Sequence, residues 1–265
     1  MSKKPSDLLW ENICVLPYFR GFLRAVEGVF YQEIVLKQPI LDLGTGDGFF
    51  SSITFANKLD VGIDPSFSEL RSAKNLQGTK SNVCGMGNSL PFRNDYFGTI
   101  ISNSVLEHIE DLPPVLKEIN RVLPRHGMLI ITVPNSNFTE NLSIGRFLKW
   151  VGAEQLAIKY QYFFNKISRH YHPDPAIKWE ERLIDAGFDI EKKWNYFSRK
   201  SLSILEWGHL FGMPAWVSKK VFGRWIIFQK KWNLWPVYFG IKKSFLSEQK
   251  MINGAYSMFI AHKAE

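Results

Sequence analysis

The sequence predicts an α/β fold: a doubly wound, Rossmann-like sheet of seven strands, parallel except for an antiparallel last strand. Three observations predict it. Short apolar runs alternate with helix-capable segments from Ile40 to Asn135; the first run breaks into three alternating glycines; and a late run, GAYSMFIAHK, alternates apolar and small or polar residues as a closing strand does.

The organising stretch is ILDLGTGDGFF, Ile40 to Phe50. Ile40 to Leu43 reads as a buried strand, and Gly44, Gly46 and Gly48 allow backbone conformations and close ligand approach that a Cβ would forbid. The amides of the turn and the start of the following helix, Phe49 to Asn57, offer donors to a polar or anionic group. A dinucleotide fingerprint would need glycine at position 49, which is Phe. A second strand, Leu59 to Asp64, ends in an acid 22 residues after Asp42, the span one strand-turn-helix-strand unit requires, and such an acid suits the hydroxyls of a ribose. Asp64-Pro65-Ser66 also reads as a helix start, and both readings stand.

Phe67 to Leu76 follows as a helix, Ser81 to Cys84 as a third strand, Tyr96 to Asn103 as a fourth, Pro113 to Leu123 as an amphipathic helix and Gly127 to Asn135 as a fifth strand. The order of glycine turn, GIDPS, a polar pair before LPF, DYFGTIISNS and VLEHIED resembles the type 11 family of class I S-adenosylmethionine-dependent methyltransferases, closely over Ile40 to Asn135. The resemblance implies S-adenosylmethionine as cofactor and methyl transfer as activity. It places Asp42, Gly44, Thr45, Gly46 and Gly48 around the methionine part, Asp64 with Pro65 at the ribose, Asn88 and Ser89 before LPF at the adenine, and Asn103 near the amino-acid end. The family usually has an acid where this chain has Asn88, whose amide oxygen can still accept a hydrogen bond. His108 is able to move a proton near neutral pH, but the family carries it across different substrates, which favours structural or cofactor-side duty.

Outside that core the chain adds three elements. Residues 1–38 read as helices broken near Pro17, either covering the cofactor or substrate mouth or packed on the sheet. Residues 135–175 read as an aromatic helical lid over the strand ends, the natural place for an acceptor pocket. The lid closes with Arg169-His170-Tyr171-His172. His170 or His172 is the candidate base if the acceptor is a hydroxyl, against a structural role for both. As alternate residues they face opposite ways in extended chain, so no metal site is expected from the pair. A helix from Pro175 and a strand, Phe188 to Phe197, follow.

Residues 198–250 are a long insertion before the last strand. Between Arg199 and Lys243 it carries nine Lys or Arg against Glu206 alone, so the chain's net charge of +8 resides there, together with Trp207, Trp216, Trp225, Trp232 and Trp235 of its nine tryptophans. Apolar bulk mixed with cations over 201–245 suits reversible contact with an anionic membrane surface. A substrate pocket or a second subunit would use the same composition. Nucleic acid is disfavoured, because the fourth strand ends in Ser-Asn-Ser-Val without the Asn/Asp-Pro-Pro-aromatic signature of amino-methylating nucleic-acid enzymes. No segment has the length and apolarity of a transmembrane helix, and MSKKPSDLLWENIC has no signal-peptide pattern. Cys14 and Cys84 lack disulfide or zinc spacing, which fits a reducing, cytoplasmic compartment with peripheral membrane contact. The expectation is a methyltransferase acting on a small, apolar or membrane-associated acceptor at oxygen or carbon. The alternative is a non-catalytic S-adenosylmethionine-binding or membrane-associated scaffold.

Overall fold

The computed structural model describes residues 4–264, with backbone only for 213–216; the Trp216 side chain therefore lies outside the described residues. Two helices, α1 (Pro5–Val15) and α2 (Tyr18–Tyr31), meet at Pro17, which can start a helix but not continue one. The sheet is then laid down as β1 (Ile40–Leu43), α3 (Phe49–Thr54), β2 (Leu59–Asp64), α4 (Phe67–Leu76), β3 (Thr79–Cys84), β4 (Thr99–Asn103), α5 (Pro113–Val122) and β5 (Met128–Pro134). The lid is α6 (Ser136–Glu140), α7 (Ser143–Trp150) and α8 (Glu154–Ser168); α9 (Ala176–Asp185) and β6 (Phe188–Tyr196) follow. The insertion forms α10 (Arg199–Phe211), α11 (Met213–Phe222) and α12 (Lys231–Leu246) before β7 (Tyr256–Lys263).

The strand order is β3-β2-β1-β4-β5-β7-β6. β1 pairs in parallel with both β2 and β4, Leu41 lying opposite Val61 on one side and Ile100 on the other. The chain order thus reverses between β1 and β4, and the crevice for ligands lies beyond their carboxyl ends. β7 runs antiparallel between β5 and β6.

Element ends depart from the sequence expectation where tertiary bonds intervene. Tyr96 and Phe97 are not strand: their amides donate to the Val122 carbonyl and tie the loop to the end of α5. The helix after the glycine turn stops at Thr54 rather than Asn57. β3 begins two residues early, at Thr79, which pairs with Leu59. Gly254 precedes β7, pressed so closely on the Tyr196 backbone that a Cβ would lie 2.2 Å from its carbonyl oxygen.

Successive strand residues face opposite cores. Ile100, Leu129 and Phe259 pack with Val115 and Ile119 of α5 and Trp179 and Leu183 of α9. Ile101, Ile130 and Ile260 pack with Phe22 and Val26 of α2, Phe138 and Phe164 of the lid, and Leu205 and Ile241 of the insertion. The N-terminal helices, lid and insertion therefore share one core. Trp10 stacks on Tyr238 with ring centroids 4.2 Å apart, joining α1 to α12. Glu206, the acid of the basic stretch, is fully buried and accepts hydrogen bonds from Ser143 N and Oγ, Ile144 N and Tyr160 Oη, so it caps α7 and fastens the lid to α10. Glu248 accepts from Ser198 N and Oγ and from Ser201 Oγ, closing the insertion at its base.

Candidate active site

The glycine turn is shaped by its neighbours as well as by its own freedom. Gly44 has φ +78°, and a Cβ there would lie 2.5 Å from the Val105 methyls. At Gly46, φ is +55° and a Cβ would meet nothing within 4 Å, because that position faces open space. The Gly46 amide donates to Asp64 Oδ2 at 3.0 Å, so the acid at the end of β2 holds the turn at the end of β1. The other oxygen of Asp64 accepts from Ser66 N at 2.8 Å, and Ser66 itself caps α4. Asp42 is buried and accepts from Ser51 Oγ. Burial raises its pKa, opposed by the Ser51 hydrogen bond.

A cavity of about 340 Å³ opens at this point. Asp42, Gly44, Thr45, Gly46, Asp64 and Asn103 line it, joined by Asp47 and Glu69. Gly48 does not line it; it starts α3, and a Cβ there would lie 3.0 Å from that of Ala73. Pro65, Asn88 and Ser89 lie outside the cavity wall, and the last two are solvent-exposed.

Four further residues are unexpected. Arg20, Arg24, Lys219 and Trp225 complete the wall with Leu16, Phe49, Phe50, Val105 and His108. No residue of 135–174 lines it, so α2 and the insertion, rather than the lid, enclose this space. Arg20 and Lys219 lie 5.3 and 5.7 Å from the Trp225 ring centroid. Desolvation lowers the Arg20 pKa and the Arg24 charge lowers it further, while Asp47 and Glu69 oppose both; the residue nonetheless stays exposed to solvent.

Beneath the cavity lies a buried polar network. The Glu27 carboxylate accepts from Arg24 Nη1 at 2.7 Å, Asn103 Nδ2 at 2.7 Å, Ser104 Oγ at 3.1 Å and Tyr196 Oη at 2.9 Å. Asn103 Oδ1 accepts from Thr132 Oγ1 at 2.9 Å, so the Asn103 amide is committed to the scaffold on both sides. Burial opposes the Arg24 charge, but Glu27 more than offsets this and raises its pKa. Arg20, Arg24 and Glu27 recur at helical spacing along α2. That polar stripe on an otherwise apolar helix is the signal that marks them in the sequence.

The two candidate bases are not at the cavity. His170 packs beneath it against Phe138 and His108, with ring centroids 4.9 and 5.4 Å away. Burial pushes its pKa down to about 3, which removes it as a proton acceptor near neutrality. His172 faces the other way, its Nε2 2.8 Å from the Ile109 carbonyl and its Nδ1 3.3 Å from Arg182. His108 is the histidine that reaches the cavity. Its Nδ1 lies 2.9 Å from the Arg169 carbonyl; donation there leaves Nε2 as the lone-pair nitrogen. Burial lowers its pKa, opposed by the bond to the Arg169 carbonyl, and the charges of Arg24, Arg169 and Arg20 lower it further.

Glu107, His108 and His170 each place a ligand-type atom within 4.8 Å of the others. A transition-metal ion could draw them together, but the arginines around His108 make this a positive neighbourhood that opposes a cation.

The glycine turn lies at the topological switch point, tied to the acid that ends the next strand and open to a cavity at Gly46, within a sheet of the class I methyltransferase fold. Residues 41–131 match the methyltransferase domain of the type 11 family. Over that stretch the chain is similar to the S-adenosylmethionine-dependent methyltransferases of this family. It is 31% identical over 174 residues to a malonyl-[acyl-carrier protein] O-methyltransferase from Legionella pneumophila, covering 63% of this chain and 57% of that enzyme. The chain thus spans little more than half the length of this curated relative. Among solved structures, an S-adenosylmethionine-dependent methyltransferase from Thermotoga maritima superposes with a TM-score of 0.59 at 15% identity, covering 92% of this chain and 91% of that one. The [4+2]-cyclase SpnF superposes with a TM-score of 0.54 at 17% identity, covering 91% and 82%. These two likenesses concern the fold.

Proposed function

We propose that this protein transfers a methyl group from S-adenosylmethionine to a small, apolar or membrane-associated acceptor, at oxygen or carbon. The observation that carries the reading is the convergence of Asp42, Gly44, Gly46, Asp64 and His108 on one cavity. Asp64 and the turn from Gly44 to Gly48, with Asp42 and Thr45, would hold the ribose and methionine parts, and Asn88 and Ser89 the adenine end. S-adenosylmethionine, when bound, supplies an electrophilic methyl group on a sulfonium that is already a good leaving group. The chain's task is then to position and desolvate the acceptor. Leu16, Phe50, Val105 and Trp225 give the cavity wall an apolar part that would exclude water around a bound acceptor. Where the acceptor is a hydroxyl, His108 Nε2 takes its proton; His170, too weakly basic, stays a packing residue.

The insertion supports membrane contact. Its acid Glu206 is buried in the lid joint, leaving the outer surface to cations, while Trp207, Phe211, Phe222, Trp232 and Trp235 stand exposed among them. No helix among the described residues is long and apolar enough to cross a membrane, so contact would be interfacial. The fold by itself leaves the reaction open, since a protein named as a cyclase shares it, and a non-catalytic scaffold remains the second reading.

Calorimetry with S-adenosylhomocysteine tests the first point, with binding expected in the wild type and strongly weakened in Asp64→Ala. Absence of binding, or indifference to that substitution, would count against the enzyme. Labelled cofactor supplied with a cell lipid extract then identifies the methylated product. A protein that binds cofactor but labels nothing in lipid or metabolite extracts supports the scaffold.

A further inference from the structure

S-adenosylmethionine brings one carboxylate, with its own ammonium group beside it, so Arg20 and Lys219 are more cation than the cofactor calls for. They come from elements far apart in sequence, α2 and α11, yet both line the cavity and both lie against the same indole, that of Trp225. Among the described residues neither has a carboxylate within 4.0 Å, whereas Arg24 beside them is paired with Glu27 at 2.7 Å. Asp47 and Glu69 reach Arg20 only as longer-range charges and the side chain meets solvent, so an anion that enters between the guanidinium and ammonium groups gains the attraction of both. The acids of the cavity, Asp42, Asp47, Asp64 and Glu69, come from the segment between β1 and α4. The unpaired cations come from the parts of the chain outside that core. Between them the wall is apolar: Leu16, Phe49, Phe50, Val105 and the Trp225 ring.

We infer that the methyl acceptor carries an oxyanion, carboxylate or phosphate, on an apolar body, and that Arg20 and Lys219 bind this oxyanion across Trp225. The inference rests on the methyltransferase reading for the word acceptor, but the anion site stands on the cations themselves. It gives the insertion two duties. Its outer aromatics and cations meet the surface, and its inner end, Lys219 and Trp225, receives an anionic amphiphile. Arg supplies a planar fork that suits either oxyanion, and Lys a mobile point charge.

The test is calorimetric titration of octanoate, octyl phosphate and the neutral octanol into the full chain, below their aggregation concentrations, with and without S-adenosylhomocysteine. Both anions should bind about tenfold or more tighter than octanol, the factor a charge-assisted hydrogen bond commonly supplies. Arg20→Gln combined with Lys219→Gln should abolish that preference whether or not S-adenosylhomocysteine is bound. Arg20→Lys should restore much of it, and Lys242→Gln with Lys243→Gln should leave it intact. Preference for octanoate alone would assign a carboxylate; preference for octyl phosphate alone, a phosphate. Equal binding of octanol and the anions overturns the inference. So does a double variant that loses S-adenosylhomocysteine while keeping the anion preference, because the cations would then serve the cofactor. If the wild type fails to bind S-adenosylhomocysteine, the methyltransferase reading falls, and the titrations without it still decide the anion site.

Discussion

The Glu27 carboxylate accepts the Asn103 amide at 2.7 Å across 76 positions of sequence, buried at the joint between α2 and the end of β4. This bond makes α2 part of the site. It fixes the helix that carries Arg20 and Arg24 against the strand end from which Ser104, Val105 and His108 follow. Glu27 also neutralises Arg24, so the helix delivers one satisfied cation and one unsatisfied cation to the cavity.

Removing Glu27 should therefore be costly. Glu27→Ala leaves Arg24 buried without its counter-charge and strips partners from Asn103, Ser104 and Tyr196, a loss of about 3–5 kcal/mol. Urea denaturation measures it. Removing both partners, as Arg24→Met with Glu27→Gln, should cost less than the two single changes added together. A Glu27→Ala loss below about 1 kcal/mol, the range of an ordinary substitution, would show that the network is not structural cement.

The two alanine changes in the glycine turn should separate folding from binding. Gly44→Ala sets a Cβ 2.5 Å from the Val105 methyls at φ +78°, so overpacking and backbone strain together should cost about 2–4 kcal/mol. Gly46→Ala meets no neighbour within 4 Å, and its left-handed conformation should cost about 1–2 kcal/mol. Its methyl group would occupy the cavity, so S-adenosylhomocysteine affinity should fall although the protein stays folded. Equal affinity in Gly46→Ala and wild type would place the cofactor elsewhere.

His170 gives an acid-side signature. Its pKa is about 3 in the folded protein against 6.5 when free, because burial disfavours the charged ring. The unfolded chain thus binds the proton first, and the stability tied to neutral His170 is complete above pH 6.5 and lost as pH falls toward 3. His170→Gln should flatten the loss of thermal stability between pH 6.5 and 4. An unchanged pH slope would mean that the ring titrates normally and is open to solvent.

How much of this was legible in the sequence follows from how local each feature is. ILDLGTGDGFF and Asp64 belong to one strand-turn-helix-strand unit, so spacing alone brings the turn and the acid together, and the Gly46–Asp64 bond is its result. The cations are different. Helical periodicity shows that residues 18–31 form a helix, but only contact with Asn103, Tyr196 and Trp225 shows which side of it faces the site. For His170 and His172 the opposite facing follows from alternation, whereas what each ring packs against depends on Phe138 and α9, elements that local spacing does not locate. The lid was expected to line the acceptor pocket; instead its Tyr160 and Phe164 pack on Glu206 and His209 of the insertion, while Phe147, Trp150 and Tyr162 stand exposed.

Glu107 titrates in the opposite sense. Burial raises its pKa from 4.5 to about 8, with one carboxyl oxygen left without a hydrogen-bond partner. Here the folded state keeps the proton, so this group's stabilising contribution is complete below pH 4.5 and declines as pH rises through 8. Glu107→Gln retains the shape without the charge. Its melting temperature should match wild type near pH 4.5 and exceed it by a margin that grows up to about pH 8 and then levels off. A margin that shrinks with rising pH would show that Glu107 is ionised and stabilised by Arg24 instead.

The exposed aromatics of α12 test the proposed surface contact without disturbing the core. Trp232, Trp235 and Phe239 fall at intervals of three and four, with exposures of 75%, 56% and 48%, whereas Leu234, Tyr238 and Ile241 of the same helix are buried. A helix with one side committed to the core and the other aromatic among Lys230, Lys231, Lys242 and Lys243 is built for an interface rather than for water. Trp232→Ser with Trp235→Ser should leave stability within about 0.5 kcal/mol, as for other exposed positions. Burying one such side chain contributes about 1.5–3 kcal/mol, so partitioning into anionic vesicles should fall by about tenfold or more in a flotation assay. Wild-type binding should also weaken as salt is raised or as anionic lipid is replaced by neutral, because each engaged basic residue contributes about 1 kcal/mol and is screened within a Debye length. Flotation that is insensitive both to the tryptophans and to salt would remove the membrane from this protein's function, and leave that face to a second subunit.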